Sequence, residues 1–377
     1  MTDAGRPAQA PAAPTRRVLV GACGMGNGHA SRQLNLVRQL QERGHRVALV
    51  TFGDGVAALN DAFPSHVPIA EPTHFPGGWV AMTPTGIDIT RSAANGRELD
   101  PRGDAWNFAL CEQVAEQLGD APEVVLTDYE PASAQIAYLV GARLITTEQQ
   151  SKFLLYRTPD AGGYTRWHEA AKLRYFFPAA DDRIASSFFP LEWERDERYE
   201  GQVIEPILRP DVLSMTPEVD GTSVVVYLSP YAAMRQEPAE FLRVLAGFPE
   251  VTFTVFSKTP IGDAPQNVVT SLFDRPKFTE ALRTCSAVVA TAGHQLLSEC
   301  LYLRKPVLAL PFDVYEQQFN AMMLDHCGIG VHGGRELSVD QLRRFLDQRP
   351  AFAQAADRLA TRQFTGSSAD LLNRLGL

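Results

Sequence analysis

Apolar, β-branched runs alternate with amphipathic segments along almost the whole chain, and they do so in two separate series. The first series holds RVLVGA (17–22), HRVALVTF (45–52), EVVLTD (123–128) and RLITT (143–147). Runs that are apolar at every position belong to strands buried on both faces, as in a parallel sheet covered by helices. Between the first two runs lies SRQLNLVRQLQERG, whose Leu34, Val37 and Leu40 form one apolar helix stripe and whose Gly44 is placed to end it. Strand, helix and parallel strand make one βαβ unit, and its repetition gives an α/β fold.

The alternation weakens over 189–221, a stretch rich in proline and charge. A second series then starts at SVVVYLS (223–229) and runs through VTFTVF (251–256), NVVTSLF (267–273), AVVAT (287–291) and PVLALP (306–311). A chain of 377 residues exceeds one ordinary core. The expected architecture is therefore two Rossmann-like domains facing across a cleft. Its parts are a disordered tail (1–16), an N-terminal domain (17–204), a flexible linker (205–220), a C-terminal domain (221–360) and a C-terminal helix (361–377). Residues 73–105 form a long polar excursion of the kind that is functional when it interrupts a compact domain.

Composition narrows the partners. The formal charge is -9, from 44 acidic and 35 basic residues, and no dense Lys/Arg run marks a nucleic-acid face. No stretch approaches the roughly 18 apolar residues of a membrane span, and the N-terminus carries no apolar signal core. The expectation is a cytoplasmic protein with neither nucleic-acid nor membrane partner, a homodimer being left open. Five cysteines without a CxxC pair predict buried thiols rather than disulfides or a zinc site.

The first strand runs into GACGMGNGHASR, where Gly24, Gly26 and Gly28 let a ligand approach the backbone and the helix start favours developing negative charge. A dinucleotide fingerprint would need a third glycine where His29 stands, although Asp54 could serve as its acid. The imidazole of His29 suits a general base; the plain alternative is a helix cap. In the second half, strand AVVAT stops at Thr291-Ala292-Gly293-His294, where a following helix would offer free amides to a diphosphate. Glu299 lies one to two turns into that helix. Asp313, Glu316, Gln317 and Asn320 gather at the next helix start, where they can bind sugar hydroxyls or merely complement the helix dipole.

The turn GNGHASR, the segment TDYEP, and TAGHQLLSECLYLRKPVLALP with YEQQFNA resemble the GT-B glycosyltransferases related to the lipid II N-acetylglucosaminyltransferase, and above all their small relatives. The resemblance implies that the second domain binds a UDP-sugar: Gly293 and His294 at the diphosphate with Thr291 beside them, Glu299 at the ribose, Glu316, Gln317 and Asn320 at the sugar. Phe273 would flank the base, and Ser229 would lie near the phosphates. The first domain would bind a small acceptor, with Gly26, Asn27, Gly28, Trp79, Gln149 and Gln150 as candidates. Aromatic residues Phe75, Trp79, Trp106, Phe108, Phe153, Tyr156, Tyr164 and Trp167 are available for an acceptor wall.

The activity implied is inverting transfer of glucose or N-acetylglucosamine to a hydroxyl of a nucleoside or other natural product. No cofactor is implied beyond the UDP-sugar co-substrate. His29 would act as base and Asp128 would orient it, unless Asp128 caps the helix near Pro131 instead. No DxD pair falls at the donor site, so no metal is implied. A UDP-N-acetylglucosamine 2-epimerase and a non-catalytic sugar-nucleotide-binding partner are the alternatives.

Overall fold

The computed structural model describes residues 14–52, 54–56, 59, 81–83, 86–88, 102–218, 221–228 and 236–377; of Leu228 and of residues 81–83, 86–88 and 102–108 it gives the backbone. Two six-stranded parallel sheets form the frame. In the N-terminal half the strands are β1 (Arg17–Ala22), β2 (Arg46–Thr51), β5 (Val124–Asp128), β6 (Arg143–Thr146), β7 (Asp182–Ser186) and β8 (Gln202–Ile204), in the order β2-β1-β5-β6-β7-β8. A short antiparallel pair, β3 (Ala81–Thr83) and β4 (Gly86–Asp88), lies apart. The second sheet holds β9 (Ser223–Leu228), β10 (Thr252–Ser257), β11 (Val268–Leu272), β12 (Ala287–Ala290), β13 (Val307–Ala309) and β14 (Gly330–His332), ordered β11-β10-β9-β12-β13-β14. In each sheet the strand order reverses beside its first strand, at β1/β5 and at β9/β12. A crevice opens at the carboxyl ends of strands at such a point.

The helices of the first half are α1 (Gly28–Glu42), α2 (Arg102–Leu118), α3 (Pro131–Val140), α4 (Lys152–Leu155) and α5 (Arg166–Phe176). Those of the second are α7 (Pro238–Ala246), α8 (Arg275–Thr284), α9 (His294–Tyr302), α10 (Tyr315–His326), α11 (Val339–Gln363) and α12 (Leu371–Leu375), with α6 (Pro210–Leu213) between the halves. Leu34, Val37 and Leu40 of α1 are buried against Val18, Val20 and Leu49, and Gly44 takes φ +83° just past the helix end. The five cysteines are free, and Cys23, Cys285 and Cys300 are buried.

Two expectations need correction. Residues 361–377 are not one helix: α11 continues to Gln363, and a turn leads to α12. Leu371, Leu372, Leu375 and Leu377 of this segment are buried with Val18 and Ile145 of the first sheet, so the chain end returns to the N-terminal half. The described part of the linker, 205–218, is not a free tether either. Ile207, Leu208, Arg209 and Val212 are buried, and Glu205 accepts hydrogen bonds from the amides of Gly366 (2.8 Å) and Ser368 (3.1 Å). Arg209 pairs with Glu299 and Asp211, and Glu218 pairs with Arg283.

The halves also share a core. Phe153, Phe188 and Phe189 from the first half pack with Leu297, Tyr315 and Phe319 from the second, the Phe153 ring lying 4.9 Å from Tyr315 and 5.3 Å from Phe319. Such aromatic contacts favour edge-to-face geometry, here near 77° and 80°.

Candidate functional site

The β1 turn is built around glycine. A Cβ on Gly24 would sit 1.5 Å from the carbonyl oxygen of Phe52, and Gly26 adopts φ +75°. The amide of Cys23 donates to the Asp128 carbonyl at 2.9 Å, locking this turn to the end of β5. Across the cleft, a Cβ at Gly28 would lie 3.4 Å from that of Gln295, so the first turns of α1 and α9 face each other closely. Between them is a cavity of about 330 Å³.

His29, in the first turn of α1, lines this cavity and places Nδ1 2.8 Å from Oδ1 of Asp128. It does not cap the helix, whose N-cap residue is Asn27. Nor does Asp128 cap α3: Glu130 does so, its carboxylate accepting from the amides of Ala132 (2.8 Å) and Ser133 (2.7 Å). Glu130 thus fills the role weighed for Asp128, while Asn27 holds the N-cap position of α1 without a side-chain cap. Asp128 is fully buried; burial alone would raise its carboxyl, but Arg32 and His29 pull it down to about 2. Burial pushes the His29 imidazole below its ordinary value, the nearby Arg32 guanidinium adds to this, and the Asp128 carboxylate opposes both. The ring stacks near Tyr129, centroid to centroid 6.3 Å. Tyr129 has φ +55° and donates its hydroxyl to Glu169 at 2.7 Å. A positive φ on a bulky side chain is costly and occurs where surrounding structure imposes it, often at a functional site. This turn aims Asp128 at α1 and Glu130 at α3.

On the C-terminal side of the cavity, α9 begins at His294 after Gly293, and no described side chain caps its first amides. Amides so presented, together with the helix dipole, attract an anion. Thr291, Gly293, His294, Glu299, Glu316 and Gln317 all line the cavity, as does Phe273, which sits 5.4 Å from both Tyr227 and Phe278. His294 is buried, and its Nε2 has no hydrogen-bond partner among the described residues. Burial and the neighbouring Lys152 cation hold this imidazole well below its ordinary value, hence neutral. Gln317 Oε1 accepts from the Phe312 amide at 3.0 Å, which fixes the loop before α10.

Gly26, Asn27, Gly28, Gln149 and Gln150 line the same cavity from the first half. Gln149 is held by Lys152, whose ammonium donates to its side-chain oxygen and, at 3.2 Å, to its carbonyl. Burial brings the fully buried Lys152 ammonium down to about 7. Asn320 is not a wall of the cavity. It is fully buried and donates to the Ala292 carbonyl (3.0 Å) and to Glu316 Oε1 (2.9 Å), bracing the loop before α9 from behind. Ser229, Trp79 and Phe75 lie outside the described residues, as do the side chains of Trp106 and Phe108. Of the remaining expected aromatic wall, Phe153 is spent on the shared core and Trp167 is 64% exposed. The aromatic wall next to His29 is Tyr129.

Three cations were missed by sequence reasoning. Arg32 contacts both oxygens of Asp128 at 2.5 Å, and its place three residues after His29 was a usable signal, since such residues share a helix face. Arg209 pairs with Glu299 over 90 positions, with no local signal. Lys258 meets Asp54 at 2.6 Å across the cleft, so Asp54 serves an ion pair between the halves.

Comparison with known proteins agrees with this fold. Residues 16–350 match the profile of Glycosyl transferase family 1. Among curated proteins none matches the chain. Solved structures similar to it include the glycosyltransferase SnogD from Streptomyces nogalater, at 17% identity and TM-score 0.63, covering 96% of this chain and 99% of that one. Arabidopsis thaliana UGT89C1 complexed with UDP-L-rhamnose gives 16% identity, TM-score 0.68 and coverage of 96% and 98%. The glycosyltransferase VinC in complex with dTDP gives 19%, 0.59, and 96% and 99%. At these identities the structural likeness speaks to the fold, two Rossmann-like domains in the GT-B arrangement; the family is set by the profile spanning 16–350. The chain belongs to glycosyl transferase family 1 and is a glycosyltransferase.

Proposed function

We propose that the protein transfers a hexose, glucose or N-acetylglucosamine, from a UDP-sugar to a hydroxyl of a small natural-product or nucleoside acceptor, with inversion and without a metal ion. The observation that carries this reading is the His29 Nδ1 to Asp128 contact of 2.8 Å, set on a cavity wall opposite the uncapped start of α9. With Nδ1 engaged, Nε2 is the nitrogen left to accept a proton. The acceptor oxygen would attack the anomeric carbon as its proton passes to His29. The bond from that carbon to the diphosphate oxygen would break with its electron pair leaving on UDP, whose charge the α9 amides would receive. Attack from the face opposite the leaving group inverts the carbon.

Gly293 and His294 would contact the diphosphate, Phe273 the base and Glu316 the sugar. The similar structures include one holding UDP-L-rhamnose and one holding dTDP, and others whose names attach them to calicheamicin and spinosyn, which supports both a nucleotide-sugar donor and a natural-product acceptor. The motifs shared with lipid II N-acetylglucosaminyltransferase relatives favour UDP.

The test is transfer itself. UDP-glucose and UDP-N-acetylglucosamine are incubated with a panel of hydroxylated acceptors in chelator, with products read by mass spectrometry and the anomeric configuration by NMR. Release of UDP with a β-linked product from an α-linked donor supports the proposal. Isomerised donor without acceptor dependence would indicate an epimerase instead.

A further inference from the structure

The pair of His29 and Asp128 has a third member. Arg32 stands one turn after His29 on α1, 3% exposed, with Nε 2.5 Å from Asp128 Oδ2 and Nη2 2.5 Å from Oδ1. Gln33 Nε2 donates to Oδ2 at 2.9 Å as well. An ionised carboxylate offers about four acceptor sites. At Asp128 these go to Arg32 twice, to Gln33 and to His29, so His29 receives a share of one oxygen rather than the whole carboxylate.

The same guanidinium also reaches the imidazole, Nη2 lying 2.7 Å from Nδ1 of His29. An imidazole nitrogen either carries a proton and donates or lacks one and accepts. With a proton, Nδ1 serves Asp128 and faces Nη2 as a second donor. Without one, Nδ1 accepts from Arg32 and faces Asp128 lone pair to lone pair. Arg32 and Asp128 thus favour opposite tautomers of the ring.

We propose, resting on the assignment of His29 as base, that Arg32 is a positioning residue for the transfer: its fork fixes Asp128 and contests Nδ1, so that the two together decide whether the Nε2 left for the acceptor is free to take its proton. A base paired with a carboxylate alone would be held partly protonated near neutrality. Beside an equally close guanidinium, it stays free to take a proton at lower pH. Among the described residues the groups facing the ring are Asp128 from the end of β5, Arg32 from α1, and Tyr129 stacked against it. His29 also acts electrostatically on His294 of the other half. Arg32 in turn feels Glu148 and Glu316.

The experiment uses the full chain with ¹⁵N-labelled histidine, followed by NMR against pH without any substrate, alongside pH profiles of transfer. Arg32→Gln removes the cation, so the His29 titration should move to higher pH. The acid limb of turnover should move with it and cost about tenfold at pH 6 relative to wild type. Arg32→Lys keeps the charge but loses the fork. It should leave the midpoint close to wild type while changing the ratio of Nδ1-H to Nε2-H forms, and it carries the test if Arg32→Gln does not fold. An unmoved midpoint in folded Arg32→Gln, or an unmoved tautomer ratio in Arg32→Lys, overturns the proposal. Neither result touches the assignment of His29 as base, which stands or falls on His29→Ala turnover.

Discussion

Arg209 of the segment between the halves grips Glu299 with both ends of its guanidinium, Nε donating to Oε1 at 3.0 Å and Nη2 to Oε2 at 3.2 Å. Gln295 Nε2 also donates to Oε1, at 3.0 Å. A carboxylate so held keeps one orientation and retains about one acceptor site for a ribose hydroxyl. Arg209→Gln should therefore weaken UDP and UDP-sugar alike, by roughly tenfold, because the ribose is common to both. Calorimetric titration with the two ligands checks this. A loss confined to the UDP-sugar would remove Glu299 from the ribose.

Glu316 predicts the opposite split. It lines the cavity and is braced by Asn320, and burial raises its carboxyl, with the Lys152 cation opposing. Glu316→Ala should lower UDP-sugar affinity by about tenfold while UDP binds as before, since the lost hydrogen bonds belong to the hexose. Gln317 is a poorer probe, because its side chain also supports the Phe312 amide. Equal weakening of both ligands by Glu316→Ala would place this residue elsewhere.

Asp128→Asn removes the one group that raises the His29 imidazole, leaving burial and Arg32 to lower it further. The active form of a base is the unprotonated one, present above its folded value and lost as pH falls through it. The acid limb of the transfer profile should accordingly move to lower pH in Asp128→Asn, opposite in sign to Arg32→Gln, with a fall in kcat from the lost orientation of the ring. Profiles over pH 5 to 9 decide the sign.

Glu148 is buried with Oε2 unpartnered, and burial pushes its carboxyl up to about 7. Its folded value is thus above the ordinary carboxylate range, so its neutral form suits the fold below that range and stability is lost as pH rises through about 7. Glu148→Gln should be more stable than wild type at pH 8, by an amount on the order of 3 kcal/mol at most, and the gap should close toward pH 5. Thermal unfolding of the two proteins across that range measures it. A gap independent of pH would mean that Glu148 does not titrate there.

The fold was legible because buried parallel strands are written as uninterrupted apolar runs: RVLVGA, EVVLTD, SVVVYLS and AVVAT each mark a central strand beside a crevice. The pairing of His29 with Asp128 was legible for the same reason, since neighbouring parallel strands end on one side and bring residues 99 positions apart together. What local sequence does not carry is which charge meets which. Arg209 and Glu205 looked like linker charges, yet one closes on Glu299 and the other on the amides after α11. Phe153 looked like an acceptor wall, and only the packing of the halves shows it covered by Tyr315 and Phe319.

The claim that His29 takes the acceptor proton is tested most directly by single-turnover transfer with His29→Ala at pH 7.5 and saturating UDP-sugar, alongside donor titration of the same variant. The account predicts that kcat falls by about a hundredfold or more while donor affinity stays within about twofold, because His29 meets the acceptor and not the nucleotide. Near-normal turnover in that variant would contradict it.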